Sequence, residues 1–165
     1  MIEVDADVSE EWDSRTDWPA LALQSVRAAV AHSRHAKLID SDAEVSVKFT
    51  SDEEVRALNA QWRDKDRATN VLSFPMADEA SLGTPAAALL GDVVLAHGVC
   101  AAEAADREVP VETHASHLVV HGTLHLLGYD HETSEADAEL MEETERRALA
   151  SIGIADPYKL SGVQS

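Results

Sequence analysis

From His117 to His131 the chain reads HLVVHGTLHLLGYDH, and no other run constrains the fold as strongly. Its apolar core is too short and too rich in histidine to cross a bilayer. It predicts the end of a long helix, with Pro110 in the first turn and Gly128 as the stop. His121 and His125 are four residues apart, so on a helix they share a face, separated by about 6 Å along the axis. Gly128 then lets the chain double back, which can bring His131 to the same point from outside the helix. Three imidazoles converging on one ion leave a fourth position for water, the pattern of a catalytic rather than a structural zinc. A lone histidine on an apolar helix is ordinarily a hydrogen-bonded core residue. The pair, the glycine break and the third histidine together are not explained in that way. A structural zinc would want a fourth Cys or His nearby, and the sequence offers none.

The spacing H-x-x-x-H-x-x-G-x-x-H is that of the metzincin proteases. The glutamate that should follow the first histidine and serve as general base is here Gly122. Peptide hydrolysis would therefore need another base, whereas a bound metal could still activate water or polarise a phosphoryl oxygen. His114 and His117 fall on the same helix face as His121. His117 is a candidate for a catalytic or supporting role, and equally for a hydrogen-bonded core histidine. Asp130, beside the third histidine, is a candidate to orient an imidazole or handle a proton, and equally to cap the turn. His32, His35 and His97 have no convergent partners and read as ordinary.

Length and composition suit one domain over residues 1–165, with 1–13 and 153–165 as loosely ordered ends. Cys100 is the only cysteine, which excludes a disulfide framework and favours a cytosolic home. The first residues, MIEVDADVSEEWD, lack the basic and apolar regions of a signal peptide. A soluble cytoplasmic protein is expected. Net charge is −18, which taken alone argues against nucleic acid. The acid is concentrated in residues 1–13 and 130–145, stretches without Lys or Arg that read as solvated faces. Against that background Arg63, Lys65 and Arg67 form a small basic knot.

Alternation predicts strands at Ile2–Val8, around Val45–Phe49, at Asn70–Met76 and at Leu89–Ala96. Between them come several helices. The first is capped by Thr16 or Asp17 and runs to about Lys37. The second is opened by a Ser51–Glu54 capping box, with Val55, Leu58 and Trp62 on one stripe. A short helix is expected over residues 98–107, then the histidine helix, then an acidic helix from about Ser134 to Ile152. Residues 77–88 read as a loop broken by Gly83 and Pro85. The expected class is α+β, with a mixed sheet of about four strands packed with helices.

With those residues in view, HLVVHGTLHLLGYDH closely resembles the signature of the YbeY-type endoribonucleases, bacterial rRNA maturation factors of a zincin-like α+β fold. LNAQWRDKDRATNVLSFP (Leu58–Pro75), LGDVVL (Leu90–Leu95) and the ending DPY (Asp156–Tyr158) are similar to further family motifs, so the resemblance spans roughly residues 40–160. It implies that His121, His125 and His131 hold a zinc ion and that Arg63 acts in RNA handling and catalysis. A guanidinium suits that task, since it grips a phosphate in bidentate fashion and offsets developing charge. The implied activity is metal-dependent cleavage of single-stranded RNA in 3′-end maturation of small-subunit ribosomal RNA and ribosome quality control. Implied partners are single-stranded RNA and the small ribosomal subunit with its assembly proteins, with neither membrane nor DNA. The nucleophile is then a metal-activated water or the substrate's 2′-hydroxyl, with His117 and Asp130 as candidate proton donors. Asn70 and Ser73 are candidates for the cleft wall. Two other readings compete: a zinc protease or amidase with its base elsewhere, and a non-catalytic assembly factor whose metal braces the His121–His131 turn.

Overall fold

The alternation in residues 44–50 and the nearly continuous apolar run in 89–96 have different causes in the computed structural model, which describes residues 1–130 and 133–158. Strand β2 (Glu44–Thr50) buries Val45, Val47 and Phe49 on one side. Strand β4 (Leu89–Ala96) is covered on both faces, so it is apolar almost throughout. Its Val93 and Leu95 enter the main core, whereas Val94 and Ala96 face a smaller cluster with Val55 and Leu72. Strand β1 (Glu3–Val8) pairs parallel with β2, β2 parallel with β4, and β3 (Val71–Pro75) antiparallel with β4. The order is β1-β2-β4-β3, a four-stranded mixed sheet with β3 on one edge.

Five α-helices complete the described chain: α1 (Trp18–His32), α2 (Asp52–Arg63), α3 (His97–Arg107), α4 (Val111–Leu126) and α5 (Glu135–Ser151). Helices α1 and α4 share the main core with the inward residues of β2 and β4, and α5 packs on both of them. Helix α2 closes the opposite face. This is the expected α+β class. None of the described helices is long and apolar enough to cross a membrane.

Three local expectations need correction. Helix α1 stops at His32, short of Lys37, because Ser33 is extended and both its N–H and its hydroxyl turn back onto the Val30 carbonyl. The Ser51–Glu54 capping box is only half made. Ser51 Oγ accepts from the Glu54 N–H at 3.1 Å, but the Glu54 carboxylate is held by Lys48 and Thr50 instead of returning to the cap. Trp62 does not share the burial of Val55, being 65% exposed. The loop at 77–88 carries two short 3-10 turns, at Glu79–Ser81 and Pro85–Ala87.

Residues 1–13, expected as a loose end, are tied in at both ends. Strand β1 is paired along its length, and Trp12 sits edge-on to Trp18 and Phe49 at 4.9 and 5.1 Å while its indole N–H donates to the Thr50 carbonyl.

Cys100 is buried, and burial, reinforced by Glu103, pushes its thiol up to about 12. Because the thiolate is the reactive form, Cys100 is expected to resist an aromatic disulfide reagent at neutral pH until the protein is unfolded. Stoichiometric labelling of the native protein within minutes contradicts this.

Candidate metal centre and RNA cleft

Helix α4 carries four histidines down one side, with successive ring centroids 5.8, 6.3 and 4.7 Å apart from His114 to His125. Each has its own partner oxygen, and the two middle histidines share one carboxylate. His114 meets Glu103 at 2.7 Å, and the same carboxylate takes the Asn70 amide at 3.0 Å. His117 Nε2 meets Glu145 Oε2 at 3.0 Å, and His121 Nδ1 meets Glu145 Oε1 at 2.6 Å. His125 Nδ1 points at the main-chain carbonyl of Tyr129 at 2.9 Å. That last contact depends on Gly128, whose φ of 97° reverses the chain directly after the helix.

These contacts fix tautomers. A carboxylate and a carbonyl only accept, so the Nδ1 atoms of His121 and His125 carry the protons and their Nε2 atoms present lone pairs. The two Nε2 atoms lie 3.1 Å apart. Two ligands on one tetrahedral zinc, each about 2.0–2.1 Å from it, are separated by about 3.3 Å. The pair therefore has the donor chemistry and spacing that a cation needs. Among the described residues no group of three His, Cys, Asp or Glu side chains gathers around one point. The third expected ligand, His131, lies outside the described residues.

Glu145 is the residue the sequence did not single out. It belongs to the acidic stretch read as a solvated face, yet it is fully buried. Burial alone raises a carboxyl group's pKa, but hydrogen bonds from His117 and His121 outweigh it and hold this one down to about 2. The readable signal was periodicity, because Glu145 lies four residues from both Met141 and Leu149 on the buried stripe of α5.

A cleft of about 650 Å³ opens between α4 and β3, lined by Arg63, Lys65, Asn70, Ser73, His121 and His125 among others. Arg63 ends α2, where Asp64 adopts a left-handed conformation and turns the chain. Its guanidinium donates to the Ser73 carbonyl at 2.9 Å and lies 5.8 Å from the Phe74 ring centroid. Asn59, almost completely buried, holds the basic knot by donating to the Arg67 carbonyl. Asp130 lines the cleft, as do Asn70 and Ser73. Arg67 and His117 are not among the lining residues. His117 is buried behind His121, so its position gives no support to a role as proton donor.

Gly122 explains itself. A Cβ there would stand 2.7 Å from Val93 Cγ1 and 3.0 Å from Ser73 Oγ, and that hydroxyl donates to the Gly122 carbonyl at 3.1 Å. The position occupied by the protease base is the place where α4 touches the sheet.

The model of the family described as endoribonuclease YbeY matches residues 9–153. The chain belongs to that family. An endoribonuclease YbeY of Rhizorhabdus wittichii is 49% identical over 98% of this chain and 99% of its own. One of Novosphingobium aromaticivorans is 51% identical over 94% and 95%. The solution structure of TM1509 from Thermotoga maritima shares the fold, with a TM-score of 0.60 and 24% identity over 92% of this chain and 89% of that one. Family membership supports an RNA-cleaving hydrolase and disfavours the protease and the non-catalytic reading.

Proposed function

We infer that this protein is a zinc-dependent endoribonuclease that cuts single-stranded RNA in the cleft between α4 and β3. One observation carries the reading. The paired Nε2 atoms of His121 and His125 open onto the same cleft as Arg63, in a member of an endoribonuclease family. His121, His125 and His131 would hold the ion, which when bound supplies Lewis acidity and a water acidic enough to ionise near neutral pH. The chain's own groups do the rest. Glu145 and the Tyr129 carbonyl keep the two imidazoles turned toward the ion. Arg63, with one of its donors anchored on Ser73, can bind the scissile phosphate and offset charge on its oxygens. Asp130, which lines the cleft, would carry a proton in this reading.

The biological substrate in this reading is the 3′ end of small-subunit ribosomal RNA in the cytoplasm, met on the small subunit with its assembly proteins. A net charge of −18 supports dependence on such partners, since among the described residues Arg63 and Lys65 are the only Lys or Arg lining the cleft.

The test sets purified protein of known metal content against single-stranded RNA, duplex RNA and casein, with and without chelator. Arg63→Glu is expected to keep its metal and lose about a hundredfold in cleavage of single-stranded RNA, the scale of losing one transition-state donor. RNA cleavage that survives chelation, or casein cleavage by the wild type, sinks the reading.

A further inference from the structure

Glu145 is in contact with more than its two histidines. Beyond α5 the chain turns at Gly153 and returns along the helix, and the Tyr158 hydroxyl donates to Glu145 Oε2 at 2.5 Å. The Tyr158 ring also lies edge-on to His117, with centroids 5.7 Å apart. The returning segment is held at two further points: Arg107 donates to the Pro157 carbonyl at 3.3 Å, and Arg146 faces Asp156 at 3.9 Å. One buried carboxylate on α5 thus accepts from three side chains, two on α4 and one on the segment that follows α5.

We propose that Tyr158 and Glu145 form a latch that sets the metal affinity of His121 from behind. The proposal rests on the metal-site reading above. Oε1 of Glu145 is the acceptor that keeps the proton of His121 on Nδ1 and the lone pair on Nε2, directed toward His125. Two other hydrogen bonds, from His117 and Tyr158, meet at Oε2 and fix the rotation of the carboxylate about its own axis. If the Tyr158 bond is lost, Oε2 keeps a single donor and the carboxylate can swing, taking the His121 ring with it. Tyr158 would thereby be a positioning residue, separated from the ion by Glu145 and His121. The His117 ring has a second purpose in this arrangement. Among the described residues its buried Nδ1 has no hydrogen-bond partner, which leaves that ring with one polar commitment, to Glu145.

Partners of this kind, orienting a ligating imidazole, typically account for a 10–100-fold effect on metal affinity. The experiment measures zinc affinity by competition with a chromophoric chelator, together with the thermal midpoint of the metal-free protein, for wild type, Tyr158→Phe and Glu145→Gln. Tyr158→Phe keeps the ring against His117 and removes only the hydroxyl. It is expected to weaken zinc about tenfold while moving the metal-free midpoint by no more than about 2 °C. Glu145→Gln, which can accept from one histidine but not from all three donors, is expected to weaken zinc further. If Tyr158→Phe binds zinc as tightly as wild type, the latch is wrong while the metal site stands. If the metal-free midpoint falls by much more than the affinity does, Tyr158 is mere packing and the latch is again wrong. Wild-type protein that takes up no zinc overturns both the latch and the metal-site reading.

Discussion

His121→Ala is expected to abolish both zinc retention and RNA cleavage while leaving the protein folded. In the proposed centre His121 is the imidazole with contacts on both sides, facing His125 through Nε2 and Glu145 through Nδ1. A catalytic metal supplies several kcal/mol of charge stabilisation. At about 1.4 kcal/mol per tenfold, a loss of about 4 kcal/mol is roughly a thousandfold in rate. The His121 side chain is 22% exposed, so its removal opens the cleft wall more than the core. The cost is the lost donor at Glu145 Oε1, while Oε2 retains His117 and Tyr158. Metal content by mass spectrometry and cleavage of a labelled single-stranded oligonucleotide check the prediction together. Unchanged cleavage by metal-depleted His121→Ala removes the metal from the mechanism altogether.

The second large effect concerns the residue beside it. Gly122→Glu restores the protease motif on paper, yet it is expected to cripple folding. A Cβ at 122 meets Val93 Cγ1 at 2.7 Å and Ser73 Oγ at 3.0 Å, and Val93 is a short, stiff side chain with no exposure. Helix α4 would have to lift from β3 and β4, and a carboxylate would enter a buried contact without a partner. Overpacking plus that burial should cost about 3 kcal/mol or more. For a chain of this size that lowers the thermal midpoint by roughly 6–12 °C. Thermal and urea denaturation give the answer directly. A Gly122→Glu protein that melts like wild type and hydrolyses casein would revive the protease reading and contradict the packing argument.

Much of this architecture was legible because burial leaves a period in the sequence. The alternation of Val45, Val47 and Phe49 and the apolar run of β4 mark strands covered on one and on two faces. The i, i+4 histidines and Gly128 announced the helix, its end and its paired face. What failed to show was the choice of hydrogen-bond partner, near or far, which residue type does not announce. The length of α1 turned on a serine folding back onto Val30, a local competition that propensity does not decide. The capping box failed because Lys48, on the preceding strand, took the Glu54 carboxylate. Glu145 was hidden by composition. Its neighbours Glu142 and Glu143 are at least partly solvated, and averaging over the acidic stretch erased the one carboxylate on the Met141–Leu149 stripe. The Tyr129 carbonyl could not have been found from residue types at all, since main-chain acceptors carry no side-chain signature.

The two paired imidazoles are held by supports of very different reach. His125 is oriented by a carbonyl four residues further on, within its own turn, whereas His121 waits for a carboxylate twenty-four residues away on α5. Half of the centre can therefore take shape as soon as the turn after α4 leaves the ribosome. The other half cannot form until α5 has been synthesised as well. An incomplete chain cut short before α5 would have the histidines but not the means of aiming them both. The order of synthesis itself thus makes the aiming of His121 the later of the two events.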